Sequence, residues 1–203
     1  MKRKIVRIEI AIIIAIIITN TFSIVGFSKQ CDDIRNKVLR MHVIANSDEE
    51  FDQQLKMKVR DAVLNEGKDL FDGSLTAKDA EEKILPNIKR LEQTALKIIR
   101  DEGFDYNVKV NVVNEYFKTR VYENSVTLPA GEYTAIKVII GEGKGRNWWC
   151  VMFPPMCLPA ANSDTEIEDV LNSDEINIVK NGKRYSFRFK FVELCEDLYK
   201  KFK

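Results

Sequence analysis

The sequence has few of the residues from which metal sites and hydrolytic centres are usually built. Its 203 residues include one histidine, His42, and four cysteines, which stand at positions 31, 150, 157 and 195. No two cysteines have the C-x-x-C spacing, so the sequence offers none of the usual ligand clusters of a structural zinc site. We therefore expect no metal and no other cofactor.

The sequence also lacks an excess of basic residues over most of its length. The whole chain has 32 Lys+Arg and 31 Asp+Glu, but its first 28 residues hold four of the basic and one of the acidic residues. This leaves 28 basic and 30 acidic residues in the remainder, a net charge of about −2. Because nucleic-acid-binding domains carry a basic patch or stripe, we expect no nucleic-acid partner.

The most distinctive feature that is present is an isoleucine-rich run behind a basic head. Four basic residues precede the unbroken apolar run Ile10–Ile18, and the apolar character continues to Phe27. The 18 residues of 10–27 are close to the roughly 17 to 25 that span a bilayer. A Lys/Arg head is retained in the cytoplasm, so the chain beyond the apolar run is exported. We expect residues 1–28 to be a signal peptide or membrane anchor and residues 29–203 to be an extracytoplasmic domain.

The sequence leaves the fate of this leader open. Thr21 and Ser23, or Ile24 and Gly26, are small or permissive enough for a cleavage site, but no A-x-A motif stands there. If the leader is uncleaved, residues 10–27 hold the protein in the membrane.

Hydrophobic periodicity predicts an α+β fold. Alternation predicts strands at 38–44, 106–112, 117–122, 132–140 and 185–189. Helical spacing predicts helices at 47–67, 74–103, 163–171 and 192–202. Pro86 should kink or break the second helix near Leu85. We expect a single domain with a mainly antiparallel or mixed sheet and a helical pair packed on one face.

A glycine-rich segment after the 132–140 strand is the densest candidate for recognition. Its glycines at 141, 143 and 145 could form an anion-holding nest of backbone amides beside Lys144 and Arg146. A flexible connection is the alternative interpretation, and the spacing of a P-loop is absent from the sequence.

Two adjacent tryptophans come after this segment. In a strand, Trp148 and Trp149 would point to opposite faces, so we expect one to be less buried than the other. An exposed tryptophan would be a suitable anchor for a protein partner. Core packing is the alternative role for both.

The cysteines allow two further hypotheses. Cys150 and Cys157 flank a Pro-Pro pair whose turn could bring them into a disulfide, and two buried free thiols are the alternative. A cysteine hydrolase acting on peptidoglycan or peptide would instead join His42 to Cys150 or Cys157, with Asn46 or Asp48 orienting the imidazole. We favour a protein without catalytic residues and keep the hydrolase as the alternative.

Long motifs of the sequence resemble the stage II sporulation protein R family. They are Leu39–Asp48, Leu55–Leu64, Leu128–Tyr133, Val138–Cys157 and Arg188–Leu194. The resemblance implies an endospore-forming bacterium and a signalling protein that is made in the forespore and exported into the space between the two septal membranes. There it would activate a membrane-embedded aspartic protease of the mother cell, which trims the sigma-E precursor.

The same motifs suggest where this partner would bind. We expect the docking surface to combine the 141–157 segment with two residues of the first motif. The candidate residues are His42, Asn46, Lys144, Arg146, Trp148 and Trp149.

Overall fold

A single helix joins the isoleucine-rich segment to the folded domain. The computed structural model describes residues 2–71, 76–122, 126–156 and 167–202, and helix α1 is continuous over Lys2–Asn36. Its stretch from Arg7 onward is long and apolar enough to cross a membrane. The isoleucines from Ile8 to Ile18 are exposed, whereas Phe27, Cys31 and Ile34 are buried in the domain. The boundary predicted at residue 28 therefore lies inside one helix, whose last turns contribute to the core.

Four strands form the mixed sheet that the sequence predicts. The strands are β1 (Leu39–Ile44), β2 (Val108–Phe117), β5 (Gly131–Ile140) and β6 (Asn147–Phe153). Their order in the sheet is β2–β5–β1–β6, with β1 parallel to β5 and the other neighbours antiparallel. A separate two-stranded pair consists of β3 (Arg120–Val121) and β4 (Thr127–Leu128). The long connection that a parallel pair requires is supplied between β1 and β5 by three helices, a 3₁₀ turn, β2 and the β3–β4 pair.

Those helices cover one face of the sheet. They are α2 (Glu50–Phe71), α3 (Ala77–Ile84) and α4 (Ile88–Asp101), with a 3₁₀ turn at Leu85–Asn87. Thr76 begins α3 with a capping box to Asp79, and the 3₁₀ turn contains Pro86, so the predicted break is confirmed. The end of α2 predicted at Gly67 is wrong, because the helix continues to Phe71.

The second face of the sheet is covered over only part of its length. The end of α1 packs there with α5 (Ile167–Val170), α6 (Ser173–Lys180) and α7 (Ser186–Phe202). Their core includes Phe27, Ile34, Val179, Phe189 and Val192, together with sheet residues such as Tyr133 and Val151. The part of this face nearest Ile44 and Ile139 stays partly exposed.

Three predicted strands need correction. The strand expected at 106–112 is β2, which begins at Val108 and continues to Phe117, and the strand expected at 117–122 is shortened to the two residues of β3. β6 was not anticipated, because its run of mixed aromatic and apolar residues shows no alternation. The strand expected at 185–189 is a turn followed by the start of α7. Aromatic residues at every second position imitate strand alternation there, yet Phe187 is 80% exposed while Phe189 is 2% exposed.

Candidate functional site

The partly exposed region of the second sheet face is the candidate site. Strand register places His42 between Lys137 of β5 and Trp149 of β6, with Asn111 of β2 on the far side of Lys137. The next row of side chains on this face lies closer to the end of the sheet and consists of Asn147, Ile44, Ile139 and Lys109. We call this surface the open face; its residues are Ile44, Lys109, Asn111, Lys137, Ile139, Asn147 and Trp149. A rigid sheet thus presents a tryptophan among amides and lysines.

His42 lies beneath the open face and is held on three sides. Its Nδ1 is 2.8 Å from Oε2 of Glu115, and the other carboxylate oxygen accepts a hydrogen bond of 2.8 Å from Nζ of Lys137. The Trp149 ring stacks on the imidazole, with 3.6 Å between ring centroids and 18° between planes. His42 is 3% exposed, and its Nε2 has no hydrogen-bond partner among the described residues. The imidazole therefore supports Trp149 from below.

Glu115 is the electrostatic centre of this group. Burial acts to raise the pKa of Glu115, but hydrogen bonds from Lys137 and His42 outweigh it, so the pKa lies below its ordinary value. Lys137 and His42 bind the ionised carboxylate more tightly than the protonated form, so ionised Glu115 stabilises the folded state.

This pKa shift predicts a dependence of stability on pH. The depressed pKa of Glu115 contributes stability that is present above the ordinary glutamate pKa and is lost as pH falls through the folded value. We expect Glu115→Gln to be less stable than wild type at neutral pH and to lose less stability as pH falls, so that the two curves converge on the acid side. Urea unfolding of both proteins between pH 3 and pH 7 measures this, with Glu102→Gln, at a surface ion pair to Lys58, as control. Parallel curves for Glu115→Gln and wild type would contradict the assignment.

The two tryptophans point to opposite faces of β6, as the sequence predicts for a strand. Trp149 stacks on His42 and meets the Phe117 ring edge-on at 4.9 Å. Trp148 lies on the helical side, with the guanidinium of Arg60 4.6 Å from its ring centroid. Both are half-buried. Of the two, Trp149 belongs to the open face.

The glycine-rich loop between β5 and β6 does not form an anion nest. Its amides all donate to protein oxygens: those of residues 141–146 bond to Asn107 O, Asn46 Oδ1, Ile140 O, Asn46 O, Ala45 O and Asp48 Oδ1, in that order. The predicted nest is therefore wrong, because these donors are already used. The alternative of a flexible connection is also not what the structure shows, since six bonds attach the loop to its neighbours.

Asn46, Lys144 and Arg146 lie at the end of the sheet, away from the open face. Asn46 has a structural role, since its Nδ2 donates to Asp52 at 2.9 Å while its Oδ1 accepts from the loop. The exposed side chains of Lys144 and Arg146 pair with Glu142 at 2.5 Å and Asp48 at 3.6 Å. The structure thus separates the six expected docking residues into three places: His42 and Trp149 on the open face, Trp148 on the helical side, and the other three at the end of the sheet.

The hydrolase alternative fails for Cys150. Cys150 is the register partner of Met41, and both belong to the core on the helical side, whereas His42 faces the other way. Glu115, not Asn46 or Asp48, binds the imidazole. Cys150 is itself in a disulfide. Cys157 lies outside the described residues, so its pairing with Cys150 stays a prediction.

Glu115 and Lys137 are the site residues that the sequence did not reveal. Glu115 was missed because the predicted strand ended at residue 112, before its position. Lys137 carried a usable signal, since a lysine between Ile136 and Val138 marks a strand face that is not fully buried.

Comparison with known proteins identifies the family. The family described as "Stage II sporulation protein R (spore_II_R)" matches residues 35–163, which include β1 to β6. A curated relative from Bacillus subtilis (strain 168), "Stage II sporulation protein R", is 37% identical over 124 residues, which cover 61% of this chain. The chain spans about half the length of that relative, since the match covers 55% of it. No solved structure matches the chain. The chain belongs to the stage II sporulation protein R family.

Proposed function

We propose that this protein is an exported sporulation signal that activates a membrane-embedded aspartic protease of the mother cell, which then trims the sigma-E precursor. The observation that carries the proposal is family membership, which supports a role in sporulation. A signalling role in this family is consistent with a protein that is not an enzyme. That the partner is this protease, and that binding activates it, goes beyond what family membership supports and is the proposed part.

The N-terminal helix supports the location that this role requires. α1 contains a stretch from Arg7 that could cross a membrane, and basic residues precede it. An apolar helix of this kind fits either a signal peptide or an anchor. The domain would therefore act in the space between forespore and mother-cell membranes, free or attached to the membrane that faces it.

The open face is the docking surface that the geometry favours. It combines an aromatic anchor, Trp149, with amides of Asn111 and Asn147 and the ammonium of Lys109, all presented by strands. Interfaces gain most of their energy from such central aromatic residues. Activation requires that the domain bind the active state of the protease more tightly than the inactive state, by about 1.4 kcal/mol for a tenfold shift.

Adjacent tryptophans on opposite faces provide a matched test of this surface. The chain would be co-expressed with the protease and the sigma-E precursor in a non-sporulating host, and precursor cleavage measured. We expect Trp149→Ala to reduce cleavage at least about tenfold, as loss of a central aromatic anchor usually does. Trp148→Ala removes the same side chain from the helical side and should leave cleavage near wild type, provided that the protein accumulates normally.

A second variant separates docking from stability. Trp149→Ala also removes the stack on His42, so its effect could arise from misfolding. Asn111→Arg adds bulk to an exposed position of the open face and should lower cleavage while leaving the melting temperature unchanged. Full cleavage with both Trp149→Ala and Asn111→Arg would show that the partner binds elsewhere. Absence of cleavage with the wild-type chain would contradict activation itself.

A further inference from the structure

Helix α7 carries an apolar stripe on the side that faces away from the domain. Phe189 and Val192 point into the core, at 2% and 4% exposed. On the opposite side, five large apolar residues recur at spacings of four, three, four and four: Phe187, Phe191, Leu194, Leu198 and Phe202. A helix that is apolar on both sides is normally buried on both.

The stripe is large for a surface that stays in water. Its members are between 37% exposed (Phe191) and 89% exposed (Phe202), and Tyr199 beside them is 64% exposed. With 150 to 250 Å² for an aromatic side chain, these residues expose roughly 600 Å². That equals the largest apolar patch of a typical monomer and approaches the roughly 800 Å² that each partner contributes to a stable interface.

The direction of α7 shows which part of the apolar stripe a bilayer could cover. Phe27, at the end of the candidate span, touches Tyr185 and Phe189 at ring-centroid distances of 5.7 and 5.3 Å. Further along, Arg35 of α1 pairs with Glu196 at 3.1 Å. α7 therefore runs in the same direction as α1, away from the membrane. Leu198 lies about 16 Å along the helix from Phe187, so a flat bilayer that meets the start of the stripe cannot cover its end.

We propose that two copies of this chain associate through this stripe, with their α7 helices parallel and side by side. Phe187, Phe191, Leu194 and Leu198 have the four-three-four spacing of the d and a positions in a two-stranded coiled coil. With α1 as a retained anchor, chains anchored in one membrane have the same orientation, so their α7 helices are parallel. A twofold axis along the membrane normal then brings each stripe against its own copy, as an isologous contact requires.

The residues beside the stripe are compatible with this contact. In a parallel pair, a residue at position g meets position e of the other helix five residues later. Lys190 would meet Cys195 of the other copy, and Asp197 would meet Phe202 of the other copy. The next d position after Leu194 is Lys201, which faces Lys201 of the other copy, so like charges meet only beyond the four apolar layers, near the end of the described helix.

Sedimentation of the purified full-length chain in mild detergent tests the association. We expect wild type to sediment as two copies at micromolar concentration, and Leu194→Glu to raise the dissociation constant at least tenfold. Leu85→Glu is the matched control, because Leu85 is 49% exposed in the 3₁₀ turn and should dimerise like wild type. Far-UV circular dichroism checks that the variants stay folded.

Cross-linking tests the parallel arrangement independently. In a parallel pair Leu194 faces Leu194 of the other copy, so Leu194→Cys in a Cys195→Ser background should give a covalent dimer on mild oxidation of membranes. Leu85→Cys in the same background should not. A wild-type chain that stays monomeric, a dimer that Leu194→Glu leaves intact, or a stripe protected only by lipid vesicles or by another protein would each overturn the proposal.

Discussion

Replacing Arg40 by alanine is expected to lower the free energy of unfolding by about 4 kcal/mol. Arg40 lies in β1, one position along the same sheet face from His42, and its side chain is fully buried at 0% exposed. Its guanidinium lies 4.1 Å from the ring centroid of Phe117 and 4.8 Å from that of Tyr133. The truncation would leave a cavity at the centre of the second core.

Polar bonds add to the cost of removing this side chain. Nε of Arg40 donates to the carbonyl oxygen of Cys150 at 3.2 Å, and Nη2 donates to the hydroxyl of Tyr122. Burial lowers the pKa of Arg40, and no carboxylate among the described residues pairs with it. The cation is therefore held by ring faces and oxygen acceptors, and a truncation would remove all of these contacts.

Urea unfolding of the full chain in detergent, followed by tryptophan fluorescence, measures the effect, since both tryptophans lie in β6 next to this core. Arg40→Met separates packing from charge: it keeps contact with the rings and removes the buried cation, so we expect it to recover about half of the loss. A loss below about 1 kcal/mol for Arg40→Ala would contradict a central role for this residue.

The sequence predicted the fold where local signals agreed with tertiary packing. The break at Pro86 and the strand before Gly141 both follow from the chain's own local chemistry. The error at 185–189 arose because aromatic residues at every second position imitate a strand. The outward position of Phe187 is consistent with the proposed contact surface on α7.

The site was less predictable, because its parts come from four strands. Trp149 and His42 were named from motifs, but only the register of β1 against β6 stacks their rings. Glu115 arrives from β2, more than 70 residues after His42 in the chain. The positions of Lys144 and Arg146 beside glycines indicated an anion site, whereas the amides there are all used by the protein itself.

The second large effect is expected at Gly145, where Gly145→Ala should cost about 2 to 3 kcal/mol. A Cβ at this position would meet the backbone carbonyl of Ser47 and the Cβ of Ala45. The Gly145 amide donates to Ala45 O at 2.9 Å, so the two chain segments cannot separate without breaking that bond. Backbone atoms, unlike the end of a flexible side chain, cannot give way at low cost.

Lys144→Ala is the matched control, since its side chain is 76% exposed and pairs only with Glu142 among the described residues. We expect it to change the free energy of unfolding by less than about 0.5 kcal/mol. Because the loop leads directly into β6, displacement at Gly145 should also move Asn147 and Trp149 and reduce sigma-E precursor cleavage. If Gly145→Ala were as stable and as active as Lys144→Ala, the loop would be a flexible connection and not a rigid support for the open face.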